Sequence, residues 1–351
     1  MSADFENLLN NARALVQTGP TLVEAGVDHV LFVENPKCRR ADGADADYYE
    51  LAKTADLMEM EIERVPTSPH QEENEDMLAA HLRNSSALAI RGGDGTISNI
   101  ANARRQISRT PQSLFVAKRL ANIAELPLLI IPGGNANDLA HALFKPSTFN
   151  DPGTVLADGT IEDIFGLDLL VEPDDAEPFE LSALAYASIG ITGLGSAMLN
   201  SKEYKEKRMH KIPGGTLVGE KIAVGKAFFQ AEPFEITAGK SSGSYVELIM
   251  ACIPRMAKVF RPSVRTFEPE ARFITAQDKI DGVTAIGALT TGMPIGKMMD
   301  EDTVVRLHVK GESMYFQVDG EEYLIKGGAN ITAKIGDPVP VVKTRRAVRE
   351  L

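Results

Sequence analysis

A short stretch in the first third of the chain most restricts how it can fold. Four small apolar residues, 87–90, run into Gly92-Gly93-Asp94-Gly95-Thr96, and apolar residues at helical spacing follow from Ile97. This order predicts a strand, a glycine turn and the start of a helix. Glycine lacks the Cβ atom that would keep a polyanion away from backbone N–H groups, and a helix N-terminus favours negative charge. The stretch therefore predicts a phosphate-binding turn.

Asp94 stands among glycines that would otherwise suit a phosphate. Its carboxylate repels a bare phosphate, so it makes chemical sense there if a Mg²⁺ ion lies between the two groups. The residue types therefore indicate a metal–nucleotide complex as the ligand. The alternative is a tight strand-to-helix turn that binds nothing, because glycine doublets are common.

Length and charge set the broad class. The chain has 351 residues, enough for two domains, and a formal net charge of −12, which argues against a general nucleic-acid binder. Its two cysteines, Cys38 and Cys252, lie far apart, so we expect neither a disulfide framework nor a cysteine zinc site. The acidic start lacks the features of a signal peptide, and no apolar run is long enough to cross a bilayer. These features predict a soluble, cytoplasmic protein.

The first half alternates apolar strands with helical patterns. Continuous apolar runs at 30–33, 87–90 and 128–131 predict buried parallel strands, and alternation between 58 and 65 predicts a half-buried edge strand. Such a pattern favours a doubly wound parallel sheet, whose ligands bind beyond the carboxyl ends of the strands. We therefore predict an α/β nucleotide-binding domain over residues 1–150. The polar residues expected on that edge are Asn35, Thr67, Asp94 and Asn137.

The second half of the chain has a different sequence pattern. Gly and Pro turns separate short strand-like runs, for example 181–188, 246–253 and 314–318, and helical patterns are sparse. This predicts a mainly-β domain over 151–351, with a tail that is able to return to the first domain. One of its strands ends in Val318-Asp319-Gly320-Glu321, where Asp-Gly is the commonest hairpin signal, so a plain turn is the simplest interpretation of that segment alone.

Three segments, Gly92 to Thr96, Pro132 to Ala140 and Val318 to Glu321, together resemble the diacylglycerol kinase catalytic-domain family. That family includes bacterial lipid kinases, diacylglycerol kinases and sphingosine kinases. The resemblance covers most of the chain, from Asn35 to about Val342. It implies an α/β nucleotide half, similar to that of NAD kinases, and a β-sandwich half, with the site in the cleft between them.

The resemblance also implies roles for the matching residues. Asp319 matches the proposed base that takes the proton from the lipid hydroxyl, and Glu321 lies beside it as a metal or orienting partner. Asp94 is implied to organise Mg²⁺ with the nucleotide. The implied nucleotide-binding residues are Asn35, Pro36, Thr67, Gly92, Gly93, Asp94, Gly95, Thr96, Ser98, Gly134, Asn135, Asn137 and Asp138.

Three positions depart from the family pattern. Asn135 takes the place of a threonine before the Asn-Asp pair, and Thr192 stands where an acidic, substrate-facing residue is common. The family's structural magnesium loop is matched only by a degenerate segment, Gln277 to Gly282, with Asp278 and Asp281 as its weak candidate ligands. Each departure bears on the substrate more than on the fold.

The implied activity is ATP- and Mg²⁺-dependent transfer of the γ-phosphate to the hydroxyl of a lipid, such as a diacylglycerol or sphingoid-like acceptor. The lipid would come from a membrane surface, which implies a transient membrane association, and the sequence leaves a homodimer open. An NAD kinase shares the glycine turn and is the nearest alternative. A non-catalytic nucleotide-binding regulator on the same fold is the other.

Overall fold

The computed structural model describes most of the chain. Asn135 lies outside the described residues, which are 19–38, 41–68, 71–82, 84–109, 122–134, 137–201, 225–238, 241–256 and 260–344. The chain divides into two compact units. Unit 1 comprises Met1–Ile164, Thr266–Glu268 and Pro338–Leu351, and unit 2 comprises Phe165–Arg265 and Pro269–Asp337.

Unit 1 contains a parallel sheet with helices. Its strands are β1 (His29–Glu34), β2 (Glu61–Pro66), β3 (Ala87–Gly92) and β4 (Leu128–Pro132), in the order β2-β1-β3-β4. Its helices are α1 (Ala44–Leu57), α2 (Gln71–His81), α3 (Asp94–Arg109), α4 (Asp138–Leu143) and α5 (Pro152–Asp158), with short 3₁₀ turns at Ala41–Gly43 and Asn122–Glu125.

The apolar runs explain this sheet. All six residues of β3 and all five of β4 are buried, as expected of central parallel strands covered on both faces. The strand β2 is half-buried and lies at the sheet edge. The C-terminal part of the chain also belongs to unit 1, where Val341 pairs in parallel with Leu128 of β4. The ammonium of Lys343 forms an ion pair with Glu162 and lies 4.2 Å from the ring centroid of Phe267.

Unit 2 is mainly β. The elements that follow α5 are β5 (Thr160–Pro173), β6 (Phe179–Ala183), β7 (Tyr186–Gly190), α6 (Ile191–Asn200), β8 (Phe234–Ala238), β9 (Ser241–Tyr245), β10 (Glu247–Ala251), β11 (Ala271–Ala276), α7 (Lys279–Thr291), β12 (Lys297–Met299), β13 (Val304–Val318) and β14 (Glu321–Lys343). The antiparallel strand order is β12-β11-β10-β7-β13-β14, while β8 pairs with β13 and β9, and β6 pairs with β5. The strands β5 and β14 each begin in one unit and end in the other.

The predicted fold class is confirmed: an α/β region with parallel strands precedes a mainly-β region. Two details differ from the sequence prediction. The strand expected to start at position 58 begins at Glu61, because Met58 caps α1 and Glu59 turns the chain with a φ of 59°. The helix α7 was not predicted, since its sequence shows no clear apolar periodicity. None of the described helices is long and apolar enough to cross a bilayer.

Candidate functional site

The parallel sheet brings four predicted loops to one edge. Glu34, the last residue of β1, is in register with Pro66 and with Arg91, and Gly92 is in register with Pro132. The segments that follow these strands therefore start side by side at the carboxyl edge. They contain the predicted nucleotide-binding residues Asn35 and Pro36, Thr67, Gly93 to Thr96 with Ser98, and Gly134 with Asn137 and Asp138.

The two glycine loops pack backbone against backbone. The N–H of Gly133 donates to the carbonyl of Gly92 at 2.7 Å. A Cβ atom added to Gly134 would lie 2.4 Å from the Cα of Gly93, and one added to Gly92 would lie 2.5 Å from the Cβ of Thr96. Real atoms do not approach so closely, so a side chain at Gly134 would push the two loops apart, and one at Gly92 would displace Thr96 within its own loop.

The loops after β1 and β2 are fixed to this pair. The Nδ2 of Asn35 donates to the hydroxyl of Thr96 at 2.8 Å, and the N–H of Asn35 donates to the carbonyl of Arg91 at 3.0 Å. The N–H of Thr67 donates to the carbonyl of Glu34 at 2.7 Å. Pro36 is exposed and Thr67 half-buried, whereas Ser98, which lies within α3, is buried. These hydrogen bonds join the starts of the loops that follow β1, β2 and β3.

Asn137 organises the second glycine loop. It has a left-handed φ of 51°, a conformation that asparagine tolerates better than most residues. Its Oδ1 accepts from the N–H of Gly134 at 2.8 Å, and its Nδ2 donates to the carbonyl of the same residue at 3.1 Å. The predicted Asn-Asp pair therefore shapes the loop, with Asp138 fully buried at the start of α4.

Asp94 joins the two loops through its carboxylate. Its Oδ2 accepts from the N–H of Asp138 at 3.1 Å, and its Oδ1 accepts from the N–H of Leu139 at 3.2 Å. Asp94 thus caps α4 from the neighbouring loop, and its charge suits a helix N-terminus. Sequence reasoning placed Asp94 in the turn but did not foresee this cap.

The donor set around Asp94 fits a magnesium ion that arrives with a nucleotide. Mg²⁺ takes oxygen ligands and is commonly held by one or two carboxylates together with substrate phosphates and waters. Within the described ranges, no group of three His, Cys, Asp or Glu side chains could hold a metal by itself. The half-exposed carboxylate of Asp94, beside glycine loops, matches the shared mode of binding.

The second predicted metal position has a structural role. The Oδ1 of Asp278 accepts from the N–H groups of Ile280 at 2.8 Å and Asp281 at 2.9 Å, which makes it the N-cap of α7. Both Asp278 and Asp281 are exposed. A metal-binding role for this pair stays a prediction.

Asp319 lies in the two-residue turn between β13 and β14. Asp319 and Gly320 have φ values of 47° and 95°, as a type I′ hairpin turn requires, so the turn interpretation is correct. The side chain is buried, and its carboxylate accepts from three backbone N–H groups in unit 2. These belong to Leu184 at 2.6 Å and to Ala185 and Tyr186, both at 2.9 Å. Glu321, by contrast, is exposed.

Sequence reasoning missed a buried acid next to Thr192. Glu247 accepts from the N–H of Thr192 at 2.9 Å and from its hydroxyl at 2.5 Å, and it is 2% exposed. Burial raises the pKa of Glu247 to about 8, against the lowering effect of these hydrogen bonds. Glu247 thus places a buried carboxyl group beside Thr192 and caps α6 from strand β10. Only the pairing register could have revealed it, since Glu247 lies opposite Gly190.

Sequence reasoning also missed Arg91, the last residue before the glycine turn. Its side chain is 1% exposed, its Nε lies 2.6 Å from the Oδ2 of Asp47, and its Nη1 lies 3.1 Å from the Sγ of Cys38. The guanidinium lines a pocket of about 120 Å³ together with Phe144 and Asn150. The sequence offered one signal for this residue: a charged side chain directly follows four apolar residues of a buried strand.

Comparisons with known proteins show which family and which fold this chain is similar to. Residues 29–167 match the family model of the diacylglycerol kinase catalytic domain. A search of curated proteins found no match. Among solved structures, one described as "a putative diacylglycerol kinase from Bacillus anthracis str. Sterne" is 15% identical, with a TM-score of 0.60 over 92% of this chain and 99% of that chain. A second, described as a diacylglycerol kinase from the same organism, is 12% identical, with a TM-score of 0.56 over the same shares.

At these identities the solved structures show that the fold is shared. The family match covers strands β1 to β4 and both glycine loops, which carry most of the predicted nucleotide-binding residues. The resemblance to the diacylglycerol kinase catalytic-domain family is therefore confirmed, and residues 29–167 are the part of this chain that matches that family's catalytic domain.

Proposed function

We propose that this protein is an ATP-dependent lipid kinase that transfers the γ-phosphate of ATP to a lipid hydroxyl. The observation that carries the proposal is the convergence of four loops at the carboxyl edge of the unit 1 sheet, with the Gly92–Gly93 and Gly133–Gly134 backbones in contact. Backbone N–H groups exposed by glycine, at the start of a helix, suit the phosphates of a nucleotide. The family match over the same residues supports the lipid branch of such kinases.

In this proposal the residues act by positioning and by charge. The loops after β1 and β2, with Asn35 and Thr67, hold the nucleoside, while Gly92, Gly93 and Gly95 hold its phosphates. The Asn137-Asp138 pair forms the opposite wall. When bound, Mg²⁺ would neutralise the phosphate charge, and Asp94 would be the residue that holds it.

The transfer itself is an in-line displacement. The lipid hydroxyl oxygen forms a bond to the γ-phosphorus, the bond from that phosphorus to the β,γ-bridging oxygen breaks, and ADP leaves. The hydroxyl proton goes to a carboxylate, for which we propose Asp319 with Glu321 as its orienting partner. Three backbone N–H groups hold the carboxylate of Asp319 in a fixed position.

The test is Mg²⁺-dependent transfer of labelled γ-phosphate from ATP to a mixed-lipid extract, with NAD as acceptor in a parallel tube. We expect a labelled lipid with the wild-type chain and none with Asp94→Asn. Transfer of the label to NAD would show that the protein is an NAD kinase and not a lipid kinase. ATP binding without label in either acceptor would favour a regulatory protein on this fold.

A further inference from the structure

Unit 1 contains a pocket of about 120 Å³ beside the guanidinium of Arg91, and we call it the Arg91 pocket. Its walls come from the start of α1, the ends of β3 and β4, the segment 144–150 and the first turn of α5. Among the described residues that line it, none belongs to those predicted to bind the nucleotide. The proposed function therefore leaves this pocket unexplained.

The buried part of the pocket combines apolar side chains with one cation. The guanidinium of Arg91 lines it together with Ile131 of β4, and Pro152 and Val155 of α5 line it as well; all four residues are buried. Gly43 lies against the same guanidinium, since a Cβ atom added there would be 3.2 Å from the Nη2 of Arg91. Even a methyl group at position 43 would therefore take up space beside the cation.

The wall that contains Thr148 and Phe149 is held in place by contacts of its own. The ring of Phe149 stacks on that of His141, with 4.0 Å between the ring centroids. The hydroxyl oxygens of Thr148 and Thr344 lie 2.6 Å apart, and the N–H of Asp151 donates to the carbonyl of Thr148 at 3.2 Å. Binding to a wall that is already ordered costs a ligand less than ordering the wall on binding.

The charges that line the pocket cancel. Arg91 and Asp47 are the charged residues of the described lining, and the Nε of one lies 2.6 Å from the Oδ2 of the other. The charged residues next to the lining in sequence, Asp42, Lys145 and Asp151, are exposed, so solvent screens them. An ion would have to compete with one member of the Arg91–Asp47 pair for the other, whereas an uncharged molecule leaves the pair intact.

The size and the lining indicate which uncharged molecule fits. An engineered apolar cavity of about 150 Å³ holds one benzene molecule, so the Arg91 pocket is on the scale of one small ring. Of the twelve described residues that line it, seven are Ile, Val, Phe or Pro. A planar aromatic ring gains more than an aliphatic one from Phe144, Phe149 and a guanidinium, because all three favour contact with a π system. We propose that the Arg91 pocket binds a small uncharged aromatic or heteroaromatic ring, apart from the nucleotide.

The experiment is methyl NMR of the full chain titrated with benzamide, an uncharged aromatic ring compound. We expect the methyl signals of Val155 and Ile131, which line the pocket, to shift with a dissociation constant of about 1 mM, while those of exposed Val23 stay in place. Benzoate and benzamidine keep the shape of benzamide but carry a negative or a positive charge, and cyclohexanecarboxamide replaces the aromatic ring by an aliphatic one. Each of these three should bind about tenfold more weakly than benzamide.

A variant that fills the pocket provides the second measurement. Val155→Phe puts a ring where the ligand would lie, so it should abolish benzamide binding and keep or raise the thermal midpoint, because it fills empty space. Val23→Phe, the same change at a 55% exposed position of unit 1, is the control and should bind benzamide like the wild type. If Val155→Phe does not fold, the methyl shifts of the wild-type chain decide by themselves.

Several results would overturn the inference. If millimolar benzamide left the signals of Val155 unchanged, or if folded Val155→Phe bound it equally well, the pocket would hold only water. Equal binding of benzoate or benzamidine would contradict the exclusion of ions, and equal binding of cyclohexanecarboxamide would contradict the preference for an aromatic ring. Competition between ATP and benzamide would make the pocket a part of the nucleotide site. Lipid phosphorylation plays no part in these measurements, so a chain without kinase activity should still bind benzamide.

Discussion

The Nε of Arg91 lies 2.6 Å from the Oδ2 of Asp47, so the cation at the penultimate position of strand β3 is neutralised by a carboxylate in the first turn of α1. Removing one partner of such a pair strands a buried charge. We expect Asp47→Ala to lower the free energy of unfolding by about 3 kcal/mol, measured by urea titration. Adding Arg91→Met to Asp47→Ala should recover most of that loss, because an apolar side chain of similar length needs no partner.

The control for this pair is Asp45→Ala on the same helix turn. The side chain of Asp45 is 89% exposed, although it lies 2.8 Å from Arg64, and exposed ion pairs contribute about 0–1 kcal/mol. If Asp45→Ala and Asp47→Ala lowered the free energy of unfolding equally, the burial of Arg91 would not explain the destabilisation by Asp47→Ala.

Gly134 and Gly93 provide a second prediction. A Cβ atom at Gly134 would meet the backbone of Gly93 at 2.4 Å, so Gly134→Ala must push the two glycine loops apart. We expect ATP binding, measured by calorimetry, to weaken at least tenfold while the sheet itself remains folded. Gly287→Ala is the matched control, since no atom lies within 4 Å of an added Cβ there. Unchanged ATP binding by Gly134→Ala would argue that the loops do not hold the nucleotide.

Glu247 predicts an unusual pH dependence of stability. Burial raises its folded pKa from 4.5 to about 8, so the folded state keeps a proton that the unfolded state has already lost. The contribution of this group is complete below about pH 4.5 and is lost as the pH rises through 8, by as much as about 5 kcal/mol. A glutamine side chain is neutral at every pH, so Glu247→Gln should abolish this part of the decline in stability with rising pH.

Thermal melts across this pH window measure the effect. The wild-type midpoint should fall relative to that of Glu247→Gln as the pH rises from 5 to 8.5. Glu235→Gln, at an exposed position of β8, should follow the wild-type curve. Parallel curves for the wild type and Glu247→Gln would mean that Glu247 titrates normally.

Local patterns predicted the α/β region well because its signals are local. Continuous apolar runs marked β1, β3 and β4, and each run ended in the loop that reaches the sheet edge. Helix α7 escaped prediction because glycine and threonine interrupt its apolar residues and no charged stripe marks its outer face. Propensity and periodicity carry little information in such a segment.

The site was harder to predict because its key contacts are distant in sequence. The N–H groups that Asp94 caps lie 44 and 45 positions further along, and the first donor to Asp319 lies 135 positions away. A motif indicates which side chains carry charge, but only the fold shows which backbone N–H groups donate hydrogen bonds to them. The same holds for Glu247, whose partner Thr192 is 55 positions away.

Asp319 gives the last prediction, which concerns both folding and turnover. Its carboxylate accepts from Leu184, Ala185 and Tyr186, whereas an asparagine would bring an NH₂ group toward those donors. We expect Asp319→Asn to lower the free energy of unfolding by about 2–3 kcal/mol and to abolish lipid phosphorylation. ATP binding should persist, because the glycine loops belong to unit 1 and all three donors belong to unit 2.

The measurements are urea unfolding, ATP calorimetry and phosphate transfer on one preparation. Asp302→Asn, in the exposed turn between β12 and β13, is the control and should match the wild type in all three. Loss of turnover with unchanged stability would assign Asp319 a purely chemical role, despite its three backbone donors. Loss of stability with turnover preserved in the folded fraction would make it an anchor of the hairpin, and the proton acceptor would then have to be sought elsewhere, with exposed Glu321 as the next residue to substitute.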